Sequence, residues 1–127
     1  MIVADSGVLI DFLRGEGTAD RIALELKTGR LATTAISAFE LRVVADSSAK
    51  VARVEMLMDA LNILALEKGS ARKAGEVRRQ LEAQGETISM ADSLVAGICL
   101  EHSALLLTRN RRSFERIEGL KLSGSTR

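Results

Sequence analysis

The stretch Ile2-Val3-Ala4-Asp5-Ser6-Gly7-Val8-Leu9-Ile10-Asp11-Phe12-Leu13 decides the fold class. Its first three residues form a short apolar run that ends abruptly at Asp5, which indicates a buried strand followed by a turn. The apolar residues between positions 8 and 13 then recur at helical spacing, until Gly15 ends the pattern. A strand that leads directly into a helix is the first half of a crossover unit, so the beginning of the chain favours an α/β fold.

The same alternation continues along the rest of the chain. Strand-like runs are predicted at 31–36, 63–66 and 104–108, and residues 119–122 could add a short edge strand. Helical stripes lie between these runs, at 22–26, 37–45, 51–61, 71–81 and 89–99. Strands that alternate with helices predict right-handed crossovers and a parallel sheet covered on both faces. We therefore expect a three-layer α/β/α sandwich with a four- to five-stranded, mainly parallel sheet.

Length and composition limit the remaining possibilities. The 127 residues suit one compact domain, and we find no proline, linker or internal repeat, so 1–127 is predicted to be a single domain. Hydrophobic residues make up 46% of the chain, which excludes wholesale disorder. Eighteen Lys and Arg residues against 17 Asp and Glu residues argue against a uniformly basic nucleic-acid binder. No apolar run is long enough to span a membrane, and the start lacks a signal sequence, so we expect a cytoplasmic protein.

The scarcity of histidine and cysteine excludes several kinds of chemistry. The chain has one cysteine, Cys99, and one histidine, His102. An internal disulfide, a Cys/His zinc site and a two-histidine ribonuclease mechanism are therefore impossible. If the protein catalyses hydrolysis, carboxylates must do so, and a hard metal ion is their natural partner.

Three acids are expected at one edge of the predicted sheet. Asp5 ends the first strand, while Glu40 and Asp92 fall in the first turns of predicted helices. Ligands of open parallel sheets bind beyond the carboxyl ends of the strands, where these acids should meet. A simpler interpretation stays open for two of them, because Ser37 to Glu40 and Ser89 to Asp92 both match a capping box.

Several segments of the chain resemble the PIN-domain family and, more narrowly, the VapC-type toxins of prokaryotic toxin–antitoxin pairs. They cover nearly the whole chain in the family's order: 2–13, 34–41, 88–96 and 106–110, with 114–117 and 119–120 beyond. The resemblance implies an α/β/α sandwich whose acids bind one or two Mg²⁺ or Mn²⁺ ions and hydrolyse RNA phosphodiesters. It also implies a cognate antitoxin as partner and a homodimer.

Carried over to this sequence, the resemblance implies that Asp5, Glu40 and Asp92 are the catalytic acids and the metal ligands. The family's fourth acidic position falls near Asn110, which is an amide here and puts the affinity for a second ion in question. Ser6 and Thr108 match small hydroxyl positions that support the acids or contact a phosphate. We expect Asp5 and Asp92 to hold the principal ion, and Glu40 to bind it or to orient the attacking water.

A basic patch follows the last main strand and borders the predicted site. Arg109, Arg111 and Arg112 are predicted to bind substrate phosphates, with Arg116 in the same patch, although a solvated surface run would explain them equally well. We interpret Asp11 as a solvated residue of the first helix.

Cys99 and Phe39 are interpreted as structural residues. Cys99 is predicted to be a core residue, because it shares an apolar stripe with its helical neighbours. Phe39 lies next to Glu40 and could either pack in the core or support a dimer.

Other functions are compatible with the same layering. One is a binding-only PIN-like module with a weakened metal site, which Asn110 makes plausible. Another is a related nuclease that acts on DNA or in RNA processing. A receiver-like signalling module fits poorly, because its central strand must end at an aspartate, whereas the run 63–66, taken as central, is followed by Glu67 and Lys68.

Overall fold

A five-stranded parallel sheet organises the computed structural model, which describes residues 1–123; residues 124–127 of the predicted domain lie outside that range. The strands are β1 (Ile2–Ala4), β2 (Leu31–Thr34), β3 (Asn62–Leu64), β4 (Leu105–Leu107) and β5 (Lys121–Leu122). They pair in the order β3-β2-β1-β4-β5, and every pairing is parallel. The predicted sheet is confirmed, including the edge strand expected from residues 119–122.

Seven helices connect and flank the strands within residues 1–123. They are α1 (Ser6–Leu13), α2 (Ala19–Thr28), α3 (Ala35–Val44), α4 (Ser48–Ala60), α5 (Lys68–Ala83), α6 (Met90–Glu101) and α7 (Arg111–Phe114). The expected α/β fold is therefore confirmed. Within the described residues, no helix has both the length and the apolarity that crossing a bilayer requires.

Two hydrophobic cores lie on opposite faces of the sheet. Successive strand residues point to opposite faces, so Ile2 and Ala4 join a core with helices α1 to α4, whereas Val3 joins a core with α5 to α7. In β4, Leu106 and Leu107 divide between the two cores in the same way. Burial on both faces explains why the strands read as continuous apolar runs.

The second strand ends earlier than its sequence predicts. β2 stops at Thr34 and not at Ile36, because the Thr34 hydroxyl accepts a hydrogen bond of 3.1 Å from the backbone N–H of Ser37 and begins α3. The predicted capping box from Ser37 to Glu40 is therefore wrong, since Thr34 is the N-cap. Glu40 lies within α3, where capping does not account for it.

The third strand lies at an edge of the sheet. The run 63–66, which a receiver module would need in the centre, contributes only to β3, and β3 pairs with β2 alone. The central position belongs to β1, between β2 and β4. Because the carboxyl ends of parallel strands share one edge, this order brings the residues after β1, β2 and β4 together.

Candidate acidic site at the carboxyl edge of the sheet

Asp5 is the centre of a hydrogen-bond network at the end of β1. Its Oδ2 accepts a bond of 2.9 Å from the hydroxyl of Thr108, which directly follows β4. Its Oδ1 accepts bonds from the backbone N–H of Ser6 at 2.9 Å and from the hydroxyl of Ser37 at 3.3 Å. Asp5 is also the N-cap of α1, so its carboxylate is fixed by three elements of the fold.

The hydroxyls around Asp5 were predicted only in part. The structure places Thr108 on Asp5 as the sequence pattern suggested, while Ser6 contacts Asp5 through its backbone N–H. The contact from Ser37 was missed, because that serine was interpreted only as a helix cap. The fully buried Ser37 lies one helical turn before Glu40 and beside the end of β1, and these two facts together are the signal that could have identified it.

Asp92 approaches the same edge from α6. Ser89 caps this helix, because its hydroxyl accepts a bond of 3.1 Å from the backbone N–H of Asp92, which is one of the two bonds of the predicted capping box. The Asp92 Oδ2 accepts a bond of 3.4 Å from the Nδ2 of Asn110. Asn110 in turn donates its backbone N–H to the Thr108 hydroxyl at 3.0 Å, so one hydrogen-bonded chain joins Asp92 to Asp5.

The charges of Asp5 and Glu40 both act on Asp92. Burial raises the pKa of Asp92 above its ordinary value, and the negative charges of Asp5 and Glu40 raise it further. The hydrogen bond from Ser89 and the more distant charge of Arg116 oppose this shift without reversing it. Glu40 comes from α3, which packs against α6, so α3 brings the third acid towards Asp92.

The donor chemistry of this site fits a hard divalent cation. The candidate ligands are the carboxylates of Asp5, Glu40 and Asp92 and the amide of Asn110, which are all oxygen donors. Within residues 1–123 none of these acids forms an ion pair with a lysine or arginine, so their mutual repulsion has no protein counter-charge at contact distance. Their side chains do not, however, converge as a ready ligand set, since the described residues contain no group of three His, Cys, Asp or Glu placed to hold an ion.

The arginines of the predicted basic patch separate into different environments. Arg111 donates from Nη1 to the carbonyl oxygen of Ser123 at 2.6 Å, which ties α7 to the residue after β5. Arg116 binds the carboxylate of Glu86 at 3.2 Å and the carbonyl oxygen of Thr87, so it fastens the loop before α6. Arg112 is exposed, and the structure gives it no partner within the described chain. Both bonded arginines therefore have structural partners, and the substrate-binding role of the patch stays a prediction.

Asp11 contradicts its interpretation as a solvated residue. Only 7% of its surface is exposed, and its Oδ1 accepts a hydrogen bond of 3.2 Å from the Nη1 of Arg109. Helical spacing could not reveal this, because the carboxylate is enclosed by the turn at Gly17 and by Arg109, which lies 98 residues away in sequence. Arg109 is thus the one predicted substrate-binding arginine whose partner within residues 1–123 is a buried acid.

The single cysteine and the phenylalanine beside Glu40 have opposite environments. Cys99 is fully buried, as expected, and burial raises the pKa of its thiol to about 12. Phe39 is 66% exposed, so it does not pack in the core.

Fold and site together define an α/β/α protein with an acidic centre at the carboxyl edge of its sheet. A family model described as the PIN domain matches residues 2–120, and the chain belongs to the PIN-domain family. The resemblance expected from the sequence is thereby confirmed. A tRNA(fMet)-specific endonuclease VapC from Shigella flexneri is 24% identical over 121 residues, 92% of each chain. A protein of the same name from Salmonella typhimurium strain LT2 is 26% identical and covers 93% of this chain and 92% of its own length.

Solved structures of toxin–antitoxin complexes share the fold. DNA-bound VapBC from Salmonella typhimurium has a TM-score of 0.84 at 24% identity and covers 96% of both chains. VapBC-1 from nontypeable Haemophilus influenzae has a TM-score of 0.82 at 26% identity and covers 97% of both chains. VapBC2 from Rickettsia felis, bound to a promoter DNA fragment, has a TM-score of 0.82 at 24% identity and covers 97% of this chain and 98% of the other.

Proposed function

We propose that this protein is a metal-dependent endoribonuclease and the toxin of a toxin–antitoxin pair. The observation that carries the proposal is the chain of hydrogen bonds that joins Asp5 to Asp92 through Thr108 and Asn110, at the carboxyl edge of a PIN-domain sheet. Burial raises the pKa of Asp92, and the charges of Asp5 and Glu40 add to that shift. A divalent cation with oxygen ligands would offset the negative charge that Asp5 and Glu40 direct at Asp92, provided that the side chains move closer together when it binds. Relatives named as tRNA(fMet)-specific endonucleases support RNA, and tRNA in particular, as the substrate class.

Each residue of the site has a proposed task. Mg²⁺ or Mn²⁺, as one ion or two, would be held by Asp5, Glu40 and Asp92 with Asn110 as a neutral donor, and would lower the pKa of a bound water and neutralise phosphate charge. Thr108 and Ser37 fix the orientation of the Asp5 carboxylate through their hydroxyls. The remaining candidates are proposed to contact RNA phosphates: Ser6, Arg109, Arg111 and Arg112.

A cognate antitoxin is the proposed protein partner. A groove of about 310 Å³ lies between α1, α3 and α4, with an apolar floor that includes Ile10, Leu41 and Val54. Three cations line the same groove: Arg14, Lys50 and Arg53. This combination suits an amphipathic segment with acidic residues beside its apolar face. The similar solved structures are toxin–antitoxin complexes, which supports a partner of this kind.

A homodimer in the cytoplasm is the proposed state of the protein. The exposed side chains of Phe39 and Val43 lie one helical turn apart on α3 and form an apolar surface next to Glu40. Burial of such a surface between two copies would remove it from water.

Cleavage of RNA by the purified, antitoxin-free chain tests the enzymatic proposal. We expect cuts in a mixture of tRNAs with Mn²⁺, and none with a chelator. Asp5→Asn and Asp92→Asn should each lower the rate more than about 100-fold, since even changes behind metal ligands cost up to that factor. Asp20→Asn, on the exposed side of α2, is the matched control and should cleave normally.

The contrary outcome is equally specific. A folded protein that cuts with the chelator present, or as Asp92→Asn, would contradict the metal-carboxylate proposal. A protein that binds RNA but never cuts it would favour the binding-only alternative, and restored cleavage by Asn110→Asp would then assign the weakness to that amide.

A further inference from the structure

Arg109 and Asp11 form an ion pair that joins the loop after β4 to α1. The Nη1 of Arg109 lies 3.2 Å from the Oδ1 of Asp11, and the side chains are 57% and 11% exposed, respectively. The acid is thus enclosed by protein while the guanidinium reaches water. Asp11 has lost most of its hydration, so the charge of Arg109 is its essential partner.

Two glycines make room for this pair. A Cβ atom on Gly7 would lie 2.9 Å from both Nε and Nη2 of Arg109, so the guanidinium rests directly on the backbone of α1. A Cβ atom on Gly17, which has a φ of +60°, would lie 2.9 Å from Oδ2 of Asp11. The Arg109 guanidinium therefore lies against the backbone of α1 at Gly7 and beside the carboxylate of Asp11.

This position is beside the acidic site. Arg109 directly follows Thr108, whose hydroxyl binds Asp5, and Gly7 lies in the first turn of the helix that Asp5 caps. Apart from the bond to Asp11, the structure gives the guanidinium no acceptor within residues 1–123. Arg111 and Arg116, in contrast, donate hydrogen bonds to backbone carbonyl oxygens. Arg109 is the arginine of the patch that is both fixed and open to a ligand.

We propose that Arg109 binds a backbone phosphate of the RNA next to the scissile position, and that Asp11 is the positioning residue that holds it there. The inference rests on the proposed function, because it assigns the substrate contact of the same site. A free arginine side chain loses rotamer entropy when it binds, and a guanidinium already held in place loses less. Its open N–H groups match the oxygens of a phosphate.

RNA binding in the presence of a chelator tests the pair without cleavage. The probe is a tRNA whose affinity is measured across a range of salt concentrations. Arg109→Gln should weaken binding about tenfold, since a hydrogen bond to a charged group is lost, and should reduce the salt slope by about one counterion. Asp11→Asn should also weaken binding several-fold. The double variant should be no weaker than Arg109→Gln alone, because Asp11 acts only through Arg109.

The sign of the Asp11→Asn effect separates positioning from simple electrostatics. Removal of a negative charge near RNA would by itself tighten binding. A merely structural pair would lower Tm in both variants and leave the affinity unchanged. Tighter binding or unchanged affinity would each overturn the proposal.

Gly7→Ala provides a second route if Asp11→Asn fails to fold. Its methyl group displaces the flexible end of Arg109 and changes no charge, so the fold should survive while RNA binding weakens. The matched control is the pair of Arg30 and Glu25, which has a distance of 2.8 Å and lies before β2 at the opposite edge of the sheet. Arg30→Gln and Glu25→Gln should leave RNA affinity unchanged.

Cleavage kinetics with Mn²⁺ keep the two proposals distinguishable. Arg109→Gln should raise KM about tenfold and Asp11→Asn several-fold, and both should change kcat little. If the native chain cleaves RNA but neither variant changes KM, the positioning inference fails and the nuclease proposal stands. If the chain never cleaves RNA but the single and double variants weaken RNA binding as expected, the nuclease proposal fails and the phosphate contact stands.

Discussion

At the scale of single residues, the ionised Asp92 carboxylate lowers the stability of the metal-free fold, although its charge is what a cation would bind. Burial raises its pKa from the ordinary 3.8, and two neighbouring carboxylates add to the effect. The folded chain therefore binds a proton at Asp92 more tightly than the unfolded chain does. The stability from that proton is complete below the ordinary pKa and is lost as the pH rises through the raised value.

The first prediction at this scale concerns Asp92→Asn in metal-free protein. The amide carries no charge to desolvate, so the variant should have a higher Tm than the native chain at pH 7. The difference should shrink as the pH falls through the raised pKa of the folded state towards the ordinary value of 3.8, and should stay constant below 3.8, where Asp92 is protonated in both states. Thermal unfolding in a chelator between pH 3 and pH 8 measures this, with Asp20→Asn as control. Parallel Tm curves for native and Asp92→Asn protein would contradict the assignment.

At the scale of elements, the most extensive helix contact in the described residues is between α5 and α6. A Cβ atom on Gly97 of α6 would lie 2.4 Å from the carbonyl oxygen of Ser70 and 2.7 Å from the backbone nitrogen of Ala74. Backbone atoms cannot move aside as the end of a side chain can. The two helices can approach this closely only because position 97 is glycine.

Gly97→Ala should therefore destabilise the protein by about 1–3 kcal/mol, the range found for overpacked cores. Gly75→Ala, on α5, is the matched control, because its Cβ atom would meet nothing within 4 Å. That control should be neutral or should stabilise the chain by about 0.4–1 kcal/mol. Denaturant unfolding of both variants measures the difference, and equal stabilities would show that α5 and α6 can separate at no cost.

The start of α3 shows what local sequence does not decide. Thr34 and Ser37 can each cap a helix, and the pattern from Ser37 to Glu40 favours the second. The choice depends on the sheet, because Thr34 still pairs in register with Leu64 of β3 and α3 begins directly after it. Leu64 is thirty residues from Thr34, so a short stretch of sequence does not contain the pairing. This pairing places the start of α3 one turn earlier than the local sequence predicts.

At the scale of the whole molecule, the edge of the sheet where Asp5 lies could be predicted from the sequence, whereas the contacts of Ser37 and Asp11 could not. Asp5 and Thr108 were predictable because the carboxyl ends of parallel strands share an edge. The pair of Asp11 and Arg109 joins positions separated by 98 residues. The periodicity of apolar residues predicts helices and strands, but it does not predict which loop packs against which helix. Because part of the burial of Asp11 comes from a contact 98 residues away, the local sequence pattern could not distinguish Asp11 from a surface residue.

Cys99 offers a measurement of cooperative unfolding. It is fully buried in the core on the α6 face of the sheet, and its thiol has a pKa of about 12. The thiolate is the reactive form, so alkylation in native conditions should be slower than for a free thiol by at least about 100-fold. Labelling should appear at the same denaturant concentration as the loss of helical circular dichroism. Labelling well before that point would indicate that α6 opens separately.

The order of the strands also bears on how the protein is made. The central strand β1 is the first to leave the ribosome, yet its partner β4 comes from residues 105–107. Asp5 meets Thr108 across 103 positions of sequence, so the acidic centre cannot assemble before residue 108 has been synthesised. A nascent or truncated chain that ends before β4 therefore has Asp5 without the hydroxyl that orients it. The hydrogen bond that completes the network at Asp5 is thus also a delay between the synthesis of the first acid and its function.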